Sequence, residues 1–250
     1  MIGGTAAERV YLGCAGWAIP RASAASLPEA GSHLERYAAR LPAVEINATF
    51  YRLPRPQTLV RWAEAVPEGF RFALKAPREI THRARLREIE LLDPFLDGIQ
   101  ALGQKLAVLL IQLPPSLEFE GPSAAAFFSR LRRRWSGGLS CEPRHPSWFR
   151  SEAERLLEQW RVARVAADPA PLPEGVEPGG WPGLVYFRLH GSPRRYYSSY
   201  SPAFLEALSR RLAEHARQAE VWCIFDNTAS GAAIVNVLEV QRRMHAQPCP

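Results

Sequence analysis

Six residues of this chain could move protons between a bound molecule and solvent: Glu45, Lys75, Glu142, Asp168, His190 and Asp226. Each lies at or near the end of a short apolar run, in "AVEINAT", "FRFALKA", "GLSCEPR", "RVARVAAD", "LVYFRLHG" and "EVWCIFDN" respectively. Carboxylates, imidazole and ammonium in partial burial acquire pKa values suited to general acid and base work, so these six are the candidate catalytic groups. Arg144 and Arg188 lie in the same runs and suit a bidentate grip on a phosphate or carboxylate. Trp17, Asn47, Tyr51, Gln112, His145 and Asn227 complete the candidate substrate-binding set. Trp148, Tyr197 and Tyr200 could wall a sugar or base, although packing is the ordinary role of any one aromatic.

Lys75 stands out by usage. The chain has 31 lysines and arginines, of which only Lys75 and Lys105 are lysine. Where nearly every cation is written as Arg, a Lys closing an apolar run calls for a reason. A compact ammonium fits a tighter space than a guanidinium, and burial can lower its pKa enough for proton transfer or imine chemistry. The structural alternative is a Lys paired with Glu45 or Glu142 and held for packing.

The elements that must position these groups are legible from periodicity. Strand-like runs cover 10–16, 43–49, 70–76, 106–113, 138–144, 161–168, 184–191 and 220–227. Between them, Leu59, Trp62, Ala63 and Val66 keep the spacing of one buried helix face, as do Ala153, Leu156, Leu157 and Trp160, and Ala233, Val237, Val240 and Met244. In "DPFL" (93–96), Asp93 is expected as an N-cap with Pro at the first helical position. Eight strands alternating with helices predict an α/β fold, a single (β/α)8 TIM-type barrel over 1–250. The Pro- and Gly-rich stretch 169–183 is an irregular loop in place of, or shortening, the sixth helix. A doubly wound open sheet is the runner-up, and no glycine-rich phosphate loop supports it.

Strand alternation then assigns faces. Val44 and Ile46 oppose Glu45 and Asn47; Phe72 and Leu74 oppose Ala73 and Lys75; Val185, Phe187 and Leu189 oppose Tyr186, Arg188 and His190. If the apolar sets face helices, the polar sets converge inside, together with Gln112, Glu142, Arg144, Asp168 and Asp226. They gather at the carboxyl ends of the strands, where barrel enzymes build their sites.

A net charge of +6 and a pI of 9.4 fit an anionic partner. A small anionic molecule is the expected one. Nucleic acid is the alternative, held by the loop arginines Arg78, Arg83, Arg85, Arg87, Arg194 and Arg195, whereas "RLRRRW" (130–135) is expected to be a solvated helix face. A divalent-metal site from Glu142, Asp168, His190 and Asp226 is a further alternative; Arg144 and Arg188 could neutralise those carboxylates instead, so no metal ligand is assigned and the cofactor is unknown. Cys14, Cys141, Cys223 and Cys249 form no CxxC pair and read as reduced thiols. No apolar run is long enough for a transmembrane helix and "MIGGTAAERV" lacks a secretory pattern, so a cytoplasmic protein with no membrane partner is expected.

The motifs "GCAGW" (13–17), "VEINATFYRLP" (44–54), "FALKAPREITH" (72–82), "QLPPS" (112–116), "EPRHPSW" (142–148), "YFRLHG" (186–191) and "FDNTASGAA" (225–233) resemble, in order and over almost the full length, the YecE-like family, domain of unknown function 72. The resemblance implies a TIM-type barrel and no established activity. Ala15 and Ala48 stand where serine is common in that family, which removes a hydroxyl contact and leaves the charged set intact. The expected function is an enzyme acting by acid–base chemistry on a small anionic substrate, phosphorylated or sugar-like, in a pocket at the strand ends.

Overall fold

Alternation along each strand separates two apolar environments. Leu12, Val44, Ile46, Phe72, Leu74, Leu109, Ile111, Cys141, Phe187 and Phe225 pack with the helices in one cluster. Ala43, Ala73, Val108, Leu110, Ala163, Val165, Leu184, Tyr186, Trp222 and Ile224 pack with each other in a second cluster. Adjacent residues of one strand thus enter different cores, as the pleat requires. Each large apolar side chain fully buried contributes about 1.5–3 kcal/mol relative to exposure.

The computed structural model describes residues 10–246; Cys249 lies outside the described residues. The strands are β1 (Val10–Cys14), β2 (Ala43–Ile46), β3 (Arg71–Lys75), β4 (Leu106–Gln112), β5 (Gly138–Glu142), β6 (Ala163–Arg164), β7 (Ala166–Asp168), β8 (Gly179–Gly180), β9 (Leu184–Leu189) and β10 (Glu220–Phe225). The helices are α1 (His33–Ala38), α2 (Pro56–Glu64), α3 (Leu92–Ile99), α4 (Gly121–Arg134), α5 (Ser151–Gln159), α6 (Pro202–His215) and α7 (Ala232–Ala246).

The strands form two sheets, in the orders β1-β10-β9-β7 and β2-β3-β4-β5-β6-β8. β6 and β8 pair antiparallel, and the other ladders are parallel. The sheets adjoin along two seams. Only Val165 separates β6 from β7, and its N–H donates to Cys141 O at 2.8 Å. At the other seam, Ala15 and Glu45 form an isolated parallel bridge, and the Gly16 N–H reaches Glu45 O at 2.9 Å. A Cβ at Gly13 would collide with the Ala43 carbonyl, so glycine is needed for β1 to approach β2. The Tyr37 hydroxyl of α1 bridges this seam, donating to Ala43 O at 2.9 Å and accepting from the Cys14 N–H at 2.7 Å. The strands expected to form one barrel are therefore paired as two sheets, interrupted at Val165 and where one bridge stands in place of a ladder.

Segment 169–183 contains no α-helix, only a 3-10 turn at Pro173–Val176 and the two-residue β8. Arg164 holds it, donating to Glu174 O and Glu177 O at 3.2 Å each while pairing with Glu154 of α5. Two helix expectations are corrected. Asp93 is no N-cap: α3 starts one residue earlier, and the Asp93 carboxylate pairs with Arg130 and Arg134 of α4. The "RLRRRW" face is not merely solvated either. Arg132 donates to four carbonyls, those of Trp160, Trp135, Gly137 and Arg161, closing the amino-end loops. No helix among the described residues is long and apolar enough to cross a membrane.

Candidate functional site

The inner face changes character toward the carboxyl ends of the strands. Ala43, Ala73, Ser140, Tyr186 and Ile224 give way to Glu45, Lys75, Glu142, Arg188 and Asp226, two residues further along their strands, all buried. His190, two residues beyond Arg188, is buried with them. The period of two that fills the lower core with apolar atoms fills the upper one with charge.

Arg188 is the centre. Its Nη2 and Nε donate to Glu45 Oε1 and Oε2 at 2.6 and 3.0 Å, a bidentate grip, and its Nη1 donates to Glu142 Oε2 at 2.6 Å. Nη2 also faces Asp226 Oδ2 at 3.2 Å. The Tyr186 hydroxyl donates to Glu45 Oε2 at 2.9 Å. His190 spans the other two carboxylates, with Nδ1 3.0 Å from Asp226 Oδ2 and Nε2 2.9 Å from Glu142 Oε1. Arg144 Nη2 lies 3.2 Å from the same Nε2, so His190 sits between two carboxylates and a guanidinium. Arg144 Nη2 donates to Glu142 Oε1 at 2.6 Å.

Electrostatics follow from these distances. Burial pushes the Glu142 carboxyl up, but Arg188, His190 and Arg144 outweigh it and hold it well below the usual carboxylate range. Burial likewise raises Asp226, and Arg188 and the His190 bond bring it below its ordinary value. Arg188, penalised by burial, is driven well above its ordinary value by Glu45, Glu142 and Asp226. A buried charge is tolerated only when paired in this way.

Lys75 differs from the rest. It ends β3 at 8% exposure, and its Nζ lies 4.1 Å from the centre of the Phe50 ring. Among the described residues no carboxylate lies within 4.0 Å of it, because Arg188 already engages Glu45, Glu142 and Asp226. Burial and then repulsion from Arg188 lower its pKa to about 8, with the three carboxylates opposing. His82 packs edge-on against the same Phe50 ring at 4.9 Å, with Nδ1 2.9 Å from the Thr81 hydroxyl. Burial, Lys75, Arg78 and Arg144 lower its pKa, so its imidazole is neutral. Among the described residues, Arg144 Nε is buried without a hydrogen-bond partner, as is Asn47 Oδ1. Lys75 Nζ and Arg144 Nε are thus two cationic nitrogens of the cluster without a polar acceptor among the described residues, while Arg144 Nη2 is held by Glu142.

Other candidates are placed elsewhere. Asp168 has the outward parity of Arg164 and Ala166, since Ala163 and Val165 point to the inner core. Its carboxylate accepts from the Tyr200 hydroxyl at 2.9 Å, and Tyr200 in turn receives the Gly191 N–H at 2.8 Å. Sequence parity put Asp168 in the cluster because the apolar run 161–168 gave no phase. Trp17 packs edge-on against Trp62 at 4.8 Å, and Tyr51 is 76% exposed beyond Phe50. His145 accepts from the Ser147 N–H at 3.3 Å and caps the turn Pro146–Phe149. Asn227 is buried, with Nδ2 on Ser198 O and Asn236 Oδ1 at 2.9 Å each. Gln112, half-buried at the end of β4, pairs in register with Glu142. His82 and Phe50, which join the site, lie on turns where alternation assigns no face. The signal for His82 was its place in "FALKAPREITH", on the π-helical turn Glu79–Arg83 that follows β3, a geometry frequent at functional sites.

Among the described residues no three His, Cys, Asp or Glu side chains are grouped to hold a metal; the carboxylates of Glu142 and Asp226 face Arg188 and His190 instead. Cys14 is pushed up to about 12 by burial, and Cys141 and Cys223 are likewise buried and raised, so none is a thiolate. A cavity of about 510 Å³ opens at the amino ends between Trp135 and Trp181, where Arg132 is occupied by carbonyls. Another, of about 340 Å³, lies beside the mouth between Arg85 and Trp148. Neither gathers titratable groups as the strand ends do.

The family model described as "Protein of unknown function DUF72" matches residues 11–249. The chain is similar to the UPF0759 protein YecE of Escherichia coli (strain K12), at 32% identity over 170 residues. That match covers 65% of this chain and 60% of the relative, so less than two thirds of the relative's length is spanned. It is 26% identical to the UPF0759 protein YunF of Bacillus subtilis (strain 168), over 91% of this chain and 92% of that one. In three dimensions it resembles a DUF72 family protein of Enterococcus faecalis V583, with a TM-score of 0.79 at 23% identity, covering 96% of this chain and 97% of that one. A DUF72 family protein of Thermotoga maritima MSB8 gives 0.77 at 26% identity, covering 94% and 99%.

Proposed function

The chain belongs to the DUF72 family of proteins of unknown function, and from that premise we propose that it is an enzyme acting by acid–base chemistry on a small anionic substrate. The two sheets adjoin at Val165 and at the Ala15–Glu45 bridge, and they fit one eight-stranded barrel in which β6 and β7 count as one strand. The substrate pocket lies at the carboxyl ends of those strands.

One observation carries the reading: the carboxylates of the cluster leave two cationic nitrogens without a polar acceptor, even though Arg144 Nη2 pairs with Glu142. Lys75 makes no ion pair among the described residues, and Arg144 Nε is buried without a partner. An ammonium and one guanidinium N–H without acceptors are donors for a ligand, and a phosphate or carboxylate supplies the missing acceptor. Beneath them, Glu45, Glu142, Arg188, His190 and Asp226 hold one another in place. Lys75 and the neutral imidazole of His82 are the groups free to exchange protons near neutral pH.

The loop arginines favour a small ligand over nucleic acid. Arg83 pairs with Glu79, Arg85 holds Ser116 and Arg194 lies over the Tyr197 ring, so half of the six are engaged. A calorimetric titration with inorganic phosphate tests the reading. The wild type should bind, and Lys75→Met and Arg144→Leu should each weaken affinity about tenfold, near 1.4 kcal/mol. Unchanged affinity in both folded variants would remove the reading. Steeply salt-dependent binding of DNA or RNA instead would favour the nucleic-acid alternative.

A further inference from the structure

Resting on the anion-pocket reading above, we propose that Lys75 is a covalent catalytic residue that forms an imine with the carbonyl carbon of a small substrate bearing a carboxylate or phosphate. The chain has two lysines, and the structure treats them oppositely. Lys105 Nζ donates to Ala63 O and Val66 O at 2.6 and 2.7 Å, closing the carboxyl end of α2. Its amine is occupied. Lys75 Nζ lies in the same interior as three carboxylates, yet the short bonds to them go to Arg188, Arg144, His190 and Tyr186. A lysine held for packing would be paired with one of those carboxylates. This one faces an aromatic ring, beside a guanidinium that repels its proton.

A nucleophilic amine must be neutral, and burial with a neighbouring cation is a recognised way to make it so. With its pKa lowered to about 8, Lys75 holds a few hundredfold more neutral amine at pH 7 than an ordinary lysine, on the order of the shift from 10.5. The Nζ lone pair adds to the carbonyl carbon and the carbonyl π electrons move to oxygen, giving a carbinolamine after proton transfer. The carbinolamine hydroxyl takes a proton and leaves as water, the nitrogen lone pair forming the C=N bond. Amine and carbonyl thus become imine and one water, with no change of oxidation state. His82, on the same Phe50 ring and neutral, is placed to take and return the proton. Glu45, Glu142 and Asp226, which already act on the Lys75 charge, would stabilise the protonated imine. Arg144 Nε, without a partner among the described residues, is the donor for the substrate's anionic group.

The test is reductive trapping on the full chain. The protein is incubated with pyruvate, dihydroxyacetone phosphate or neutral dihydroxyacetone in the presence of sodium borohydride, digested, and mapped by mass spectrometry. Phosphate binding is measured in parallel by calorimetry. The expected result is one reduced adduct at Lys75 with the anionic probes, at least about tenfold over Lys105, whose Nζ is engaged by two carbonyls. It should be suppressed by inorganic phosphate and absent in Lys75→Arg and Lys75→Met. No adduct at Lys75 while phosphate still binds would overturn the imine and leave the anion pocket standing. Neither adduct nor phosphate binding would overturn both. Equal labelling of Lys75 and Lys105, or equal labelling of Lys75 by dihydroxyacetone, would overturn the proposed nucleophile or the anionic substrate class respectively.

Discussion

Arg188 on β9 clasps Glu45 on β2 through two bonds, 2.6 and 3.0 Å, across 143 residues of sequence. The two strands belong to different sheets, and both side chains are 0% exposed. One guanidinium thus joins the two ladders, because it also reaches Glu142 from β5 and Asp226 at the end of β10. The planar fork of Arg can serve three carboxylates at once, which a lysine ammonium cannot do with the same geometry.

Removing this guanidinium should be among the most damaging single changes in the chain. Arg188→Met leaves Glu45, Glu142 and Asp226 buried without their main partner, and breaking a buried ion pair from one side costs about 3–5 kcal/mol. Arg188→Lys should recover only part of that loss. Urea denaturation of both variants beside wild type measures it. A loss below about 1 kcal/mol for Arg188→Met would show that the cluster is held by something else.

Acid should act through the same network. The folded-state pKa values of Glu142 and Asp226 lie below their ordinary ones, so below pH about 5 the unfolded chain takes up protons first. The stability these groups contribute is complete above that range and is lost as pH falls through the lowered folded-state values. Thermal denaturation between pH 7 and pH 3 should show this slope, and Arg188→Met should flatten it. An equal slope in that variant would place the acid-sensitive groups elsewhere.

Asp168 offers a test that separates position from chemistry. Its carboxylate is bound to the Tyr200 hydroxyl, outside the Arg188 cluster. Tyr200→Phe should cost about 1–2 kcal/mol, since it deprives the Gly191 N–H and Asp168 of a partner. Asp168→Asn should leave phosphate affinity within about twofold of wild type, whereas Arg144→Leu should not. Calorimetry on the folded variants decides. A large loss of affinity in Asp168→Asn would return Asp168 to the binding site.

Much of this architecture is legible in the sequence, and the reason is the pleat. In β2, β3 and β9, Val44 and Ile46, Phe72 and Leu74, and Phe187 and Leu189 are large and apolar, so the phase of each strand is unambiguous and Glu45, Lys75 and Arg188 fall on the inner face. The run 161–168 alternates only Val, Ala and Arg, both faces accept such residues, and the phase of Asp168 could not be read. His82, Phe50 and the cap formed by His145 lie on turns, where no periodicity assigns a direction. The separation of the strands into two ladders depends on the backbone at Val165 and on the single Ala15–Glu45 bridge, neither of which has a compositional signature.

The alkaline limb of stability should report Lys75. Its pKa in the folded chain is about 8, below the ordinary lysine value. Between pH 8 and about 10 the unfolded chain holds this proton more tightly than the folded one, so the contribution of Lys75 to stability rises with pH across that window. Below pH 8 the full cost of burying the ammonium is present; above the unfolded value it is gone. Cys14, Cys141 and Cys223 oppose this trend from about pH 8.5, where unfolded thiols ionise, and Tyr37 and Tyr186 from about pH 10, so the comparison with a Lys75 variant, in which these groups cancel, isolates the lysine. Lys75→Met removes the titrating group and keeps an unbranched chain over Phe50. Urea midpoints of the two proteins should therefore diverge most at pH 7, with Lys75→Met the more stable, and converge toward pH 10. Because Lys105 is the single other lysine, reductive methylation with ¹³C-formaldehyde labels two lysines and the α-amine, and the signal absent from Lys75→Met should titrate near pH 8. If both titrate at the ordinary lysine value, or if Lys75→Met is less stable than wild type at pH 7, the ammonium at this position stabilises the fold and is not held there against a cost.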